Sequence, residues 1–144
     1  MSASLLANVT CVAVGRRGLL IEGAPGSGKS RLALALIDRG ARLVGDDGVL
    51  LEVRGERLWA HPPPTIAGMI EIRGIGIAEL ATESAPLCLM LALGMAGERL
   101  PAPERAPLAG VSVPRLPFPA GDADPLRAEW ALRLHGLPLP PDGE

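Results

Sequence analysis

Apolar positions along this chain fall in short runs broken by glycine, proline or charge, the pattern of strands and short helices joined by tight turns. Leu5 to Val14 alternates around Val9, Cys11 and Ala13 and predicts one strand. Arg16-Arg17-Gly18 turns it into a second, buried strand, Gly18 to Glu22, so the two should form a hairpin. A glycine-rich loop follows, and Arg31 to Ile37 then has the apolar content of a helix that ends at Asp38-Arg39-Gly40, with Gly40 at the C′ position. Ala41 to Gly45 reads as a short strand. Strand, helix and strand within this span make a βαβ unit, so its two strands should run parallel with their carboxyl ends on one sheet edge.

Val49 to Val53 and Arg57 to Ala60 flank Arg54-Gly55-Glu56 as a second hairpin, which Pro62-Pro63-Pro64 stops. Thr65 to Met69 is expected to make one helical turn, and Ile70 to Ile77 a strand–turn–strand around two glycines. Leu87 to Leu93 is a fully apolar run of strand length. Residues 94–110, rich in Gly, Pro and Ala, read as loop; Val111 to Val113 reads as a short strand that Pro114 confines to an edge. Asp124 and Pro125 supply the N-cap and first residue of a last helix through Leu134. The expected architecture is a single α/β domain with a mixed sheet over residues 1–136 and a loose tail over 137–144.

Composition narrows this picture. The chain has 144 residues, 48% of them hydrophobic, with mean hydropathy +0.29, which suits a globular domain with a real core. Aromatics are 2%, so that core must be aliphatic. Net charge is −2 without a basic run, which argues against nucleic acid as a partner. Cys11 and Cys88 stand apart from any metal-ligand spacing and read as small buried hydrophobes in a reducing compartment. The longest apolar run, Leu87 to Ala96, is too short to span a bilayer, and Met1-Ser2-Ala3-Ser4 lacks a basic start; a cytoplasmic protein is expected.

The chemistry is concentrated at Gly23-Ala24-Pro25-Gly26-Ser27-Gly28-Lys29-Ser30, which fits the phosphate-binding loop G-x-x-x-x-G-K-[ST] between a strand and a helix. Its glycines allow backbone N–H groups to approach phosphate oxygens, and the helix N-terminus adds donors and partial positive charge. Lys29, the sole lysine, would sit near the β/γ-phosphates of ATP, and the Ser30 hydroxyl would take a Mg²⁺ site. Phosphoryl transfer also needs a metal-side carboxylate and a group that orients the attacking hydroxyl. Asp46 and Asp47, leaving the strand at the mouth of the loop, could be these. Alternatively the pair only forms a turn before Gly48. Glu71 reads equally as an outward strand residue. Arg73 and Arg99 could neutralise phosphate or simply be solvated. His61 and His135 are isolated, and Trp59 and Trp130 should pack rather than stack on a base.

Taken together, Gly23 to Gly40, Ala41-Arg42-Leu43-Val44-Gly45-Asp46-Asp47 and Glu71-Ile72-Arg73-Gly74-Ile75-Gly76-Ile77 resemble the HPr kinase/phosphorylase family in order and spacing, over roughly residues 5–100. The resemblance implies a nucleotide core like that of phosphoenolpyruvate carboxykinases, homo-hexamers, and ATP-dependent phosphorylation of a serine in the phosphotransferase-system protein HPr, reversed by phosphorolysis. It also implies roles by position. Lys29 holds the phosphates, Ser30 and Glu71 share Mg²⁺, Asp47 is the proton acceptor with Asp46 as partner, and Arg99, within Glu98-Arg99-Leu100, is a catalytic arginine. Counted back from Lys29, the family's catalytic histidine falls at Asn8, which cannot carry a proton near neutral pH. Pro25 replaces a family serine, and residues 111–135 read as a shortened form of the family's C-terminal part, without its Gly-Arg-Asn segment and long helix. A short HPr-type serine kinase is the leading expectation. A small-molecule kinase and a nucleotide-sensing module without transfer are the rivals.

Overall fold

The computed structural model describes residues 3–97, 99, 101–119 and 124–141. In chain order the elements are β1 (Ala3–Ala7), β2 (Thr10–Val14), β3 (Arg17–Glu22), α1 (Lys29–Asp38), β4 (Arg42–Gly45), β5 (Gly48–Arg54), β6 (Arg57–His61), β7 (Met69–Ile72), β8 (Gly76–Glu79), β9 (Ala85–Leu93), β10 (Glu104–Leu108), β11 (Val111–Phe118) and α2 (Pro125–His135).

Nine strands form one sheet with the path β1-β5-β6-β9-β3-β2-β4, and β11 joins β9 while β10 joins β11. β9 runs parallel to both β3 and β11, whereas the other pairings in this sheet are antiparallel, so the sheet is mixed and the fold is α/β as expected. β2 lies between β3 and β4 and is antiparallel to each. β4 is therefore parallel to β3, as the strand–helix–strand reading requires, but not adjacent to it.

Alternation along the strands builds two aliphatic cores. Val12, Leu19, Ile21, Leu43, Leu89 and Leu91 face α1 and α2, where they meet Leu32, Leu36, Ala128 and Leu132. Cys11, Ala13, Leu20 and Met90 face the other way and are covered by Val49, Leu51, Leu58 and Ala60, because the β5–β6 limb curls back over that face. β9 is buried along all its 9 residues because neighbours or core cover it on every side. Its register against β3 slips between Gly18 and Leu19, so consecutive Cys88 and Leu89 both enter the helix-side core. Both cysteines are free and buried, and burial pushes both thiols upward in pKa, as inert core residues should be.

Several expectations need correction. The strand expected from Leu5 to Val14 is two strands, broken at Asn8, whose φ of 64° is a left-handed conformation that Asn tolerates. Thr65 to Met69 makes hydrogen-bonded turns, closed by Met69 N–H to the Ile66 carbonyl at 3.2 Å, and no helix, since β7 begins at Met69. Within the expected loop 94–110, Glu104–Leu108 is a strand because β11 supplies a ladder for it. β11 itself runs on past Pro114 to Phe118. It pairs with β10 over its first half and with β9 over its second, so each half has an open side to which a missing proline N–H can be directed. The tail is not loose at its start. The Leu137 N–H donates to the Cys88 carbonyl at 2.9 Å, and Arg17 Nη2 donates to the Leu137 carbonyl at 2.7 Å. The helix caps hold as read. Asp124 Oδ1 accepts from the Arg127 N–H at 3.2 Å, and Gly40 N–H donates to the Ile37 carbonyl at 3.0 Å.

Candidate functional site

β3 and β9 end at the same sheet edge, and the glycine loop 23–28 leaves β3 there and enters α1 directly. The Ser27 N–H donates to the Ala24 carbonyl at 3.0 Å and tightens the loop. Gly26 and Gly28 take φ of 80° and 101°, conformations a side chain would oppose. A Cβ on Gly23 would lie 2.6 Å from Ser27 Oγ and 3.1 Å from the Leu93 carbonyl oxygen, so a side chain there would force Ser27 and the end of β9 to shift. The first turn of α1 carries no acidic residue, and its leading amides have no partner within the helix. Lys29 folds back over the loop, with Nζ donating to the carbonyls of Gly23 at 2.7 Å and Ala24 at 3.3 Å. Ser27 Oγ is buried without a hydrogen-bond partner.

The aspartate pair sits in the bend between β4 and β5, so it is a turn and it also meets the loop. Asp46 is half-buried, and its Oδ1 accepts from Ser30 Oγ at 2.6 Å and from Thr10 Oγ1 at 2.9 Å. Asp47 is exposed with φ of 63°, and its carbonyl accepts from the Asn8 N–H at 3.1 Å. The break between β1 and β2 therefore lies against the aspartates, and position 8 is at the site although no longer inside a strand. Thr10 was not singled out from sequence. A lone threonine in an apolar strand gives no signal until the partner strand is known.

The remaining residues are placed more loosely. β7 and β8 form a separate two-stranded sheet, with Ile70 buried in the helix-side core. Glu71, the next residue, is exposed, and among the described residues no hydrogen bond joins it to Ser30 or Asp46. Arg73 is exposed. Arg99 is exposed too and lines a groove of about 320 Å³ with Leu116, Phe118, Leu126 and Trp130, while Glu98 and Leu100 lie outside the described residues. Trp130 does not pack away: it is 47% exposed, with the Arg133 guanidinium 4.5 Å from its ring centre. His61, isolated in sequence, bridges Ser84 Oγ at 2.6 Å and Glu52 Oε1 at 2.8 Å on the outer face of the β5–β6 hairpin. The hydrogen bond from His61, with a second from Arg54, holds the Glu52 carboxyl below its ordinary pKa.

A Mg²⁺ ion usually takes one or two carboxylates and completes its shell with water and substrate phosphate. Among the described residues no cluster of three or more His, Cys, Asp or Glu is poised for a metal. The Ser30–Asp46 pair beside a loop of free amides nevertheless fits that sparse mode of binding, a hydroxyl and one carboxylate with phosphate supplying the rest. Among the described residues no helix is long and apolar enough to cross a membrane.

The chain is 47% identical over 66 residues to the HPr kinase/phosphorylase of Shouchella clausii, covering 45% of this chain and 21% of that protein. It is 36% identical over 117 residues to the HPr kinase/phosphorylase of Streptococcus agalactiae, covering 71% of this chain and 38% of that one. The chain thus spans between 21% and 38% of the length of these curated relatives. The solved structure of the Hpr(Ser) kinase/phosphatase from Coxiella burnetii superposes with a TM-score of 0.78 at 27% identity, over 90% of this chain and 88% of that one. Residues 1–83, which include the loop, both aspartates and Glu71, match the family model described as HPr Serine kinase C-terminal domain, and this chain belongs to that family.

Proposed function

We propose that this chain is the nucleotide-binding catalytic domain of a serine kinase that uses ATP and Mg²⁺ to phosphorylate an HPr-like phosphocarrier protein in the cytoplasm. The observation that carries the reading is the 2.6 Å bond from Ser30 to Asp46 at the mouth of the glycine loop. It joins the metal-side hydroxyl of a phosphate loop to a carboxylate from the parallel strand, at the sheet edge where α/β domains bind ligands.

In this reading Lys29 exchanges the carbonyls of Gly23 and Ala24 for nucleotide phosphates, and the amides of the loop and of the first turn of α1 hold the rest. Bound Mg²⁺ supplies neutralisation of phosphate charge. Ser30 and Asp46 would hold the ion, and Glu71 would be a further carboxylate reaching it directly or through water. Asp47, exposed beside them, accepts the proton of the incoming serine hydroxyl as the bond to phosphorus forms, a role worth about 10²–10⁴-fold in rate. Arg99 supplies positive charge from the segment after β9. Asn8 already donates its backbone N–H to the Asp47 carbonyl, and its side-chain amide can hydrogen-bond but cannot take up or release a proton near neutral pH. Transfer to serine survives that change, whereas phosphorolysis, which needs a stored proton, is weakened. The family resemblance further supports a homo-oligomer, with six subunits.

The test is incubation with labelled ATP, Mg²⁺ and a purified HPr-like protein, with mapping of the phosphosite. Phosphoserine that requires Lys29 and Asp47 is expected. Tight Mg-nucleotide binding without transfer to any such carrier would instead support a sensing module.

A further inference from the structure

We propose that Thr10 is a positioning residue for Asp46, and so for the metal side of the nucleotide site; this rests on the reading of Ser30 and Asp46 given above. Thr10 is 1% exposed and is the one polar side chain among the described residues that is fully buried by the strands around it. Its Oγ1 donates to Asp46 Oδ1 at 2.9 Å, the same oxygen that accepts from Ser30 at 2.6 Å. Among the described residues nothing donates to Asp46 Oδ2. Two hydroxyls therefore fix one carboxylate oxygen and leave the other without a hydrogen bond, which is how an outer hydrogen bond orients a metal-side carboxylate.

The ladder shows how this contact is built. Val12 pairs with Leu43, so an unbroken antiparallel register would set Thr10 opposite Gly45. The register slips between Cys11 and Val12, so that Cys11 pairs with Gly45 and the next position, Thr10, falls opposite Asp46. The bulge thus brings the carboxylate, rather than the glycine, to the threonine, the re-aiming that bulges beside active sites perform. Two residues earlier the Asn8 N–H holds the Asp47 carbonyl at 3.1 Å, so the same short segment fixes both aspartates.

Thr10→Val keeps the shape and deletes the hydroxyl; Thr10→Ser keeps the hydroxyl and deletes the methyl. Binding of the non-hydrolysable analogue adenylyl imidodiphosphate is measured by calorimetry in EDTA, and the Mg²⁺ midpoint is then titrated at saturating analogue. In EDTA both variants should bind within about twofold of wild type, whereas the Mg²⁺ midpoint should rise about tenfold in Thr10→Val and return to near wild type in Thr10→Ser. A packing role predicts the reverse ranking, with Ser worse than Val, and would overturn the proposal, as would an unchanged midpoint in Thr10→Val. Should Thr10→Val fail to fold, Thr10→Ala against Thr10→Ser isolates the hydroxyl in the same way. Wild type that binds no analogue in either condition would defeat the phosphate-loop reading itself, a result distinct from equal midpoints.

Discussion

The glycine-loop edge and the β7–β8 hairpin both carry residues that resemble one kinase family, yet they are embedded in opposite ways. At the loop, Ser30 and Thr10 both donate to Asp46, at 2.6 and 2.9 Å, Lys29 folds onto the Gly23 and Ala24 carbonyls at 2.7 and 3.3 Å, and the turn holding Asp47 is pinned by the Asn8 amide. On the hairpin, Glu71 is exposed, Ile75 is 82% and Ile77 68% exposed, and Ile70 is the one fully buried side chain, with Ala78 packed partly buried against the same core. Pairing a short hydroxyl with a carboxylate costs little reorganisation when substrate arrives, so the loop edge is built in advance. A two-stranded hairpin is marginal by itself and takes its order from whatever it touches. The comparison teaches that motif similarity does not imply equal preorganisation: the side chains at the loop are already bonded to one another or to the loop, whereas the hairpin is an attachment with one fully buried side chain.

The sharpest way to break this contrast is to remove its chemistry. Asp47→Asn should lower transfer to the carrier serine by about 10²–10⁴-fold with nucleotide affinity unchanged. Single-turnover phosphorylation checks it, and wild-type rates would remove Asp47 from the mechanism. Lys29→Ala should weaken nucleotide binding itself, read by calorimetry, with the melting temperature retained because Nζ bonds only loop carbonyls.

Next in size is the root of the hairpin. Ile70→Ala deletes a fully buried side chain and should cost about 2–5 kcal/mol, whereas Ile75→Ser at the exposed tip should stay within about 0.5 kcal/mol. Urea unfolding of the two variants measures the difference; equal midpoints would mean that the hairpin is not held as described. A smaller effect separates the two carboxylates. Asp46→Asn should raise the Mg²⁺ midpoint by about tenfold or more, and Glu71→Gln by less, since only Asp46 is bonded to Ser30. A larger effect from Glu71 would move the metal from the loop edge towards the hairpin.

The smallest effect lies outside both regions and serves as a control for acid scans. Hydrogen bonds from His61, first, and Arg54 hold the folded-state pKa of Glu52 below its ordinary value. Its contribution to stability is therefore present above the ordinary carboxylate pKa and lost as pH falls through the lowered one. Thermal melts of Glu52→Gln against wild type should converge at the acid end and separate towards neutral pH. Separation confined to the acid end would contradict the sign of this shift.

Much of this molecule was legible before any tertiary contact was known, because the relevant physics is local. The loop from Gly23 to Ser30, the helix stop at Gly40, the hairpin through Gly55, the Asp124–Pro125 cap and the buried run around Leu89 are each dictated by residues a few positions apart. Proline and glycine misled where a neighbouring strand changed their meaning. Pro114 and Pro117 sit inside β11, and Pro107 inside β10, because each strand offers an open side that chain order does not reveal. Asn8 read as one more strand residue, since a left-handed break leaves the alternation of apolar residues almost intact.

By itself the sequence determined the local pattern on which the proposed chemistry rests: one lysine in a phosphate-loop pattern, a strand before it, a helix after it, and two aspartates leaving the next strand. Periodicity, capping and turn chemistry act over a few residues and need no partner. Only the tertiary structure decided who stands beside whom. The insertion of β2 between β3 and β4, with a slip of one residue in the β2–β4 ladder, brings Thr10 to Asp46, and the separate β1–β5 register carries on past Ala7–Gly48 to set Asn8 against Asp47. Strand adjacency and register are set by burial on both faces of the whole sheet, which sums contacts far apart in sequence, so no stretch of residues 8–10 or 42–47 contains that information alone.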